Sequence, residues 1–247
     1  MKKVIFLTYG VIAYLIFLGT FCYAVGFVSM LFVPKHLDSE PQSSLLTALL
    51  VNGGLLSLFA LQHSVMARPA FKKWWTQFIP EPVERSTFVL LASLCLLLLF
   101  WQWQPIGGVV WRVESETSKM FLQSLCLLGF GIVLIATFLI NHFDLFGLRQ
   151  VWLYFKGMSY VHIPFRTPLF YKYVRHPLYL GFIIAFWATP TMTIAHLFFA
   201  VMTTAYMLTA IQLEEKDLMK QFGNDYHNYK LSSPMLIPFT NFFKNKN

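Results

Sequence analysis

The chain has 247 residues, 57% of them hydrophobic and only 12% charged, with a net charge of +8 and a positive mean hydropathy. Soluble domains carry about 25% charged residues, so the composition excludes an ordinary soluble domain and points to an integral membrane protein with room for one helical bundle. In such a protein the excess of cations is read by its placement along the chain, and is not taken as a nucleic-acid footprint. The 26 Phe, 11 Tyr and 7 Trp belong to the bilayer and do not argue for base stacking. Cys22, Cys95 and Cys126 lie in apolar segments without paired spacing, so neither a disulfide framework nor a zinc site is expected.

A membrane-spanning helix needs about 20 apolar residues. Windows free of Asp, Glu, Lys and Arg occur at Val4–Pro34, Pro41–Ala67, Ser86–Trp111 and Met120–Phe143. The first follows Lys2 and Lys3 and is too long for the apolar core of a cleaved signal peptide, so it is read as a retained helix. Trp101, Trp103 and Trp111 fall near the end of the third, where interfacial aromatics are expected, and Pro105, Gly107 and Gly108 then break it.

The last window, Pro177–Leu213, holds 37 residues. As one straight helix it would be about 55 Å long against a hydrocarbon core of about 30 Å. Thr189-Pro190 interrupts it, and proline disfavours helix in the residue before it. A hairpin of two short helices is therefore expected, returning Glu214 to the side of the membrane on which Arg175 lies. With about six crossings and both termini cytoplasmic, all of the 19 Lys and Arg except Lys35, Arg112 and Lys119 fall on the inner side. The fold class expected is thus an all-α integral membrane protein. Its organisation is a four-helix scaffold carrying acceptor-side residues (1–143), a cytoplasmic connector (144–177), and a helical hairpin with a C-terminal cofactor-binding segment (178–247).

Two polar clusters flank the last apolar run. Arg175-His176-Pro177-x-Tyr179-x-Gly181 precedes it, and Glu214-Glu215-x-x-Leu218 with Phe222-Gly223-x-x-Tyr226-x-x-Tyr229 follows it. The joint pattern resembles the isoprenylcysteine carboxyl methyltransferase superfamily of membrane methyltransferases, in which these motifs bind S-adenosylmethionine on the cytosolic side of a helical hairpin. The resemblance implies that Glu214 or Glu215 accepts hydrogen bonds from the cofactor's amine and ribose hydroxyls, while Arg175 pairs with its carboxylate. With Pro177 in a first helical turn, the backbone N–H groups of Tyr179, Leu180 and Gly181 are expected to be open to an anionic group. Gly181 would allow close approach of the ligand, Tyr226 or Tyr229 would stack on the adenine or close over it, and His176 completes the cofactor-side set.

Upstream, Asn52-Gly-Gly-Leu, Leu61-Gln62-His63-Ser64, Phe71-Lys-Lys-Trp74-Trp75, Glu84-Arg85-Ser86-Thr87 and Asn141-His142-Phe143-Asp144 are similar to the NnrU-like branch of that superfamily, and within it to the methanethiol S-methyltransferases. This resemblance covers nearly the whole chain. It implies an enzyme of the bacterial inner membrane whose active site faces the cytoplasm, and whose substrate is a small volatile thiol, methanethiol, converted to dimethyl sulfide.

Methyl transfer from a sulfonium to sulfur is an in-line displacement in which opposite charges neutralise. It needs alignment, exclusion of water and a thiol that has lost its proton. His63 is the first candidate for the base that removes it, and His142, oriented by Asp144, the second. Gln62, Ser64 and Asn52 are read as bundle hydrogen bonds, and His196 is given no role. His36, His162 and His227 lack ligand spacing, and no His-Glu-x-x-His, P-loop or Gly-x-Gly-x-x-Gly occurs, so no metal is expected. The competing readings are a methyltransferase for a prenyl-cysteine or lipid amine, an NADPH-dependent sterol-type membrane reductase, and a non-enzymatic accessory protein of nitrogen-oxide metabolism.

Overall fold

A computed structural model of the chain describes residues 1–238 and Thr240. Lys244 and Lys246, counted above among the inner cations, lie outside the described residues. Among the described residues five helices are long and apolar enough to cross a membrane: α1 (Lys2–Ser29), α2 (Leu45–Ala67), α4 (Glu81–Gln102), α5 (Glu116–Ile140) and α9 (Ile194–Phe222). Shorter helices are α3 (Pro69–Trp75), α6 (His142–Leu145), α7 (Leu148–Lys156), α8 (Pro177–Trp187) and α10 (Asn224–Ser232).

Local chemistry sets the ends of these helices. Helix α1 stops at Met30, in the left-handed region with φ 62°, whose N–H closes onto Gly26 O. Ser44 caps α2, its hydroxyl accepting from Thr47 N at 3.3 Å. Helix α4 begins with a proline and two glutamates, Glu81 and Glu84, in its first turn, where backbone donors favour negative charge.

The expected hairpin takes an unequal form. Helix α8 has only 11 residues, about 16 Å of rise. Ala188–Pro190 then leads into β2 (Thr191–Thr193), which pairs with β1 (Val109–Arg112). The break falls at Thr189-Pro190, where the sequence places it.

The described chain forms two compact units, and the division follows packing rather than chain order. The first comprises Met1–Trp111, Asn141–Val161 and Met192–His196. In it α1 packs on α4 and α7, and α2 on α4, over a core of Ala13, Phe27, Leu37, Leu99, Trp103 and Val151. One end of this unit is tied by polar clasps. Asn52 bonds both backbone groups of Gln104, at 2.7 and 2.9 Å. Trp103 Nε1 donates to Leu37 O at 3.2 Å. Fully buried His196 bonds Asp38 through Nδ1 at 2.9 Å, and the Thr193 hydroxyl donates to the same carboxylate. His196, without an expected role, is thus one arm of a buried latch.

The second unit comprises Arg112–Ile140, His162–Thr191 and the chain from Leu197 onward. Its main helix contact is α5 against α8. A Cβ built on Gly129 would lie 2.6 Å from Ala185 N and Gly181 O, and one on Gly181 would lie 2.7 Å from Gly129 O. The two helices therefore touch backbone to backbone, the arrangement that drives helix association where lipid offers no hydrophobic gain.

This contact has no slack, so Gly129→Val is expected to lower the unfolding midpoint of the detergent-solubilised protein by about 1–3 kcal/mol in stability. Gly131→Ala, where a Cβ meets nothing within 4 Å, is expected to leave that midpoint unchanged in the same thermal scan.

Candidate functional site

In the second unit the two polar clusters of the sequence come together. Residues 173–176 run beside the segment after α10, with Arg175 N bonded to Pro234 O at 2.9 Å and His176 N to Met235 O at 3.2 Å. This places the Arg175 guanidinium against Glu215, with contacts of 2.8 Å from Nε and 2.7 Å from Nη2. The remaining Arg175 donors go to Lys230 O and Ser233 O. His176 Nε2 lies 3.2 Å from Glu215 Oε1, and Lys230 Nζ lies 2.7 Å from Glu215 Oε2. Arg175 and Glu215 keep only 8% and 4% of their side-chain surface. A buried pair of this kind is tolerated only when its remaining donors and lone pairs are satisfied, as they are here.

Adjacent residues on a helix point about 100° apart, so the two glutamates of α9 cannot do the same work. Glu215 turns inward to the cluster. Glu214 keeps 42% of its side-chain surface and receives a hydrogen bond from the Tyr179 hydroxyl at 3.1 Å. Of the two, Glu214 is the more exposed carboxylate, held in position by a phenol on the first turn of α8.

Tyr226 and Tyr229 lie three apart on α10 and share a face. Both rings pack edge-on against Phe165, at 5.9 and 5.5 Å between centroids. Tyr229 donates to Tyr171 O. The Tyr226 hydroxyl is buried without a hydrogen-bond partner among the described residues. Burial raises the phenols of Tyr171, Tyr226 and Tyr229 above the ordinary tyrosine range, with the Glu214 or Glu215 charge adding to it. All three therefore remain neutral donors. An open recess of about 550 Å³ adjoins the network, lined in part by Arg175, Met219, His227, Lys230 and Met235.

Two expectations are corrected. Gly181 is buried against Gly129 and Val133 of α5, so its missing side chain serves helix contact and not the approach of a ligand. Leu180 N is already bonded to His176 O at 3.0 Å. His176 is the N-cap of α8 and Pro177 its first residue, so the fourth helical position has its partner and is not open.

The candidate bases lie in the first unit. The His63 ring on α2 sits between Phe59 and Phe88, at 5.4 and 5.2 Å. His142 is buried, with Nε2 2.9 Å from the Tyr14 hydroxyl and its ring among Phe17, Phe143 and Phe146. Asp144 does not orient it: its two oxygens receive Arg149 at 2.8 Å and the Tyr160 hydroxyl at 3.2 Å. Asn141, with φ 110°, accepts from Asp144 N and holds that turn. Among the described residues no group of three or more His, Cys, Asp and Glu is arranged to hold a metal ion.

Sequence reasoning missed Lys230, whose partner Glu215 lies 15 residues earlier on another helix. It also missed Tyr171 and Phe165, which have no motif around them. Only the position of Lys230 one residue after Tyr229 hints at involvement.

Removing the Glu215 carboxylate would leave Arg175 and Lys230 around an unpaired buried site, a loss of about 3–5 kcal/mol. Glu215→Ala is therefore expected to lower the melting temperature sharply and expose the chain after Gly223 to limited proteolysis. Glu214→Gln, at a partly exposed position, is expected to match the parent protein in both assays.

Comparison with known proteins places this geometry in context. The chain is 58% identical over 239 residues to a methanethiol S-methyltransferase of Crocosphaera subtropica, covering 97% of this chain and 94% of that protein. It is 52% identical to methanethiol S-methyltransferase 1 of Bradyrhizobium diazoefficiens, covering 96% and 83%. It is 49% identical to the methanethiol S-methyltransferase of Mycobacterium tuberculosis, covering 97% and 98%. No family profile matches the chain, and no solved structure matches it.

Proposed function

The chain belongs to the methanethiol S-methyltransferase family, and on that premise we propose that it transfers a methyl group from S-adenosylmethionine to a small thiol, methanethiol, giving dimethyl sulfide. The observation that carries the reading is identity of 58% along 97% of the chain. The convergence of the Arg-His-Pro and Glu-Glu motifs within one unit supports it.

The side chains present fit such a cofactor. Glu214 offers a partly exposed carboxylate steadied by Tyr179, suited to an ammonium or a pair of ribose hydroxyls. The Tyr226 hydroxyl is a buried donor lacking an acceptor, and a group of this sort is expected to be met by a ligand or water. When bound, S-adenosylmethionine supplies an electrophilic methyl group on a sulfonium.

The roles we assign follow from how far each group is already engaged. Glu214 holds the cationic end. Arg175, His176, Glu215 and Lys230 form the frame that fixes the start of α8 against α9 and the C-terminal segment. Tyr226 and Tyr229 close one wall with Phe165. Alignment in a water-poor site contributes up to about 7–11 kcal/mol to reactions of this type. The distribution of Lys and Arg supports an inner-membrane protein with both termini in the cytoplasm and the cofactor drawn from that side.

The test is headspace analysis of cells expressing the protein and supplied with methanethiol, together with cofactor binding to the purified protein. Dimethyl sulfide is expected from the parent protein, and Glu214→Ala is expected to lose both product and cofactor affinity by tenfold or more. Cofactor binding without dimethyl sulfide would transfer the activity to another acceptor. Absence of cofactor binding would end the methyltransferase reading.

A further inference from the structure

The recess beside the Glu215 network has no part in the reaction proposed above. It lies within the second unit, lined in part by Arg175, by Met219 of α9, by His227, Lys230 and Leu231 of α10, and by Met235 of the segment that follows. Its volume of about 550 Å³ falls in the range of ligand sites, about 300–1,000 Å³. It is a different place from Glu214. Met219 stands one turn beyond Glu215 on α9 and shares its face, whereas Glu214 is rotated from Glu215 by about 100° and does not border the recess.

The charged and titratable groups on this lining are all basic. Arg175 contributes charge alone, because its donors are spent on Glu215, Lys230 O and Ser233 O. Lys230 touches Glu215 Oε2 at 2.7 Å and keeps 45% of its side-chain surface. An ammonium has three donors, so most of its capacity is left after that one contact. His227 is exposed, and an imidazole keeps at least one N–H in either protonation state. The carboxylate facing these groups is Glu215, already shared by Arg175, His176 and Lys230. Asp217 and Asp225 stand two positions from Met219 and His227, about 200° round their helices, and so belong to other faces. Arg175 and Lys230 against Glu215 leave the recess with a surplus of positive charge.

The recess also has a depth in the membrane. Helix α9 is long and apolar enough to cross one, and its charge-free run closes at Leu213, which marks the hydrocarbon edge. Glu215, with the Lys230 ammonium against it, lies about 3 Å further along the axis, inside a headgroup layer about 5–8 Å thick. Met235 lies lower, its sulfur 4.0 Å from Gln212 Nε2, level with the end of the apolar run. Around it the alkyl side chains of Leu231 and Ile237 are 68% and 66% exposed. Cations thus stand at the depth of lipid phosphates, and uncovered sulfur and alkyl surface at the depth where acyl chains begin.

We propose that this recess binds an anionic phospholipid, its phosphate held by Lys230 and His227 and the start of its acyl chains lying on Leu231 and Met235. The phosphate takes the donors that Glu215 leaves to Lys230 and offsets the surplus positive charge. Lys230 then bridges two anions, the Glu215 carboxylate on one side and the lipid on the other, and the lipid braces α10 and the segment after it against α9. A zwitterionic lipid brings a cation of its own and does not offset the surplus. A soluble phosphate ester brings the anion without the apolar part.

The test uses the purified full chain in mild detergent, titrated separately with phosphatidylglycerol, with phosphatidylcholine of the same acyl chains and with glycerol 3-phosphate. Phosphatidylglycerol is expected to raise the unfolding midpoint by about 5–10 °C at a hundredfold excess over its Kd, and to remain on the protein in native mass spectrometry. The other two are expected to leave the midpoint unchanged. His227→Glu sets a like charge against the phosphate and is expected to weaken phosphatidylglycerol binding by about tenfold or more. Asn228→Glu adds the same charge about 100° round α10 and is expected to bind this lipid as the parent protein does.

Equal stabilisation by phosphatidylcholine or by glycerol 3-phosphate would overturn the proposal. So would equal weakening by the two substitutions, which is the mark of general surface charge. Displacement of the lipid by S-adenosylmethionine would also refute it, by making the recess part of the cofactor site. None of these readouts requires turnover, so a failure to form dimethyl sulfide leaves the lipid site standing.

Discussion

A single buried carboxylate, Glu215, organises the second unit. It is met by Arg175 before α8, His176 at the α8 N-cap and Lys230 on α10. Without it, three cations or potential cations would face one another in a poorly solvated place. With it, the entrance to α8, the end of α9 and the chain after α10 are drawn to one point. Coulomb attraction alone does not make such a centre stable, because desolvation offsets much of it. The backbone acceptors Lys230 O and Ser233 O complete the Arg175 fork, and that saturation is what makes burial tolerable.

The same centre explains the division of labour in the Glu-Glu pair. Once the phase of α9 is fixed by Glu215 turning inward, its neighbour is rotated by about 100° toward the outside of the cluster. Glu214 is then left with one phenolic donor, Tyr179, and substantial exposure. A rigid anchor beside a partly free carboxylate is how a ligand-binding group gains position without being consumed by the fold. Shortness of α8 belongs to the same logic, since its 11 residues lie flat on α5 through the Gly129–Gly181 contact. A bulkier residue at either glycine would lift the turn that carries His176 and Tyr179.

The membrane helices were legible because hydropathy is a local property that no partner alters. Their starts were misplaced for a definable reason. Charge-free windows open at Ser86 and Met120, while α4 and α5 begin at Glu81 and Glu116, because acidic first turns belong to a helix whose open N–H groups favour them. The Thr189-Pro190 break was legible from proline's geometry. The choice of partners was not. That Glu215 faces inward, that Asp144 answers Arg149 while Tyr14 answers His142, and that Gly181 serves α5 all depend on which helices touch. Pairing of α5 with α8, whose starts at Glu116 and Pro177 lie 61 residues apart, leaves no periodic mark in one sequence.

Two arginines of this chain differ in how far the fold already engages them. Arg175 has its donors distributed over a carboxylate and two carbonyls, so it has little left to offer a ligand and reads as framework. Arg85 has one donor engaged, on Leu145 O, with an aromatic face beneath it. Motif resemblance drew attention to Arg175; counting its satisfied hydrogen bonds shows how much of it the fold already uses. The state of completion of a buried polar group, more than its presence in a motif, separates what holds the fold from what awaits a substrate.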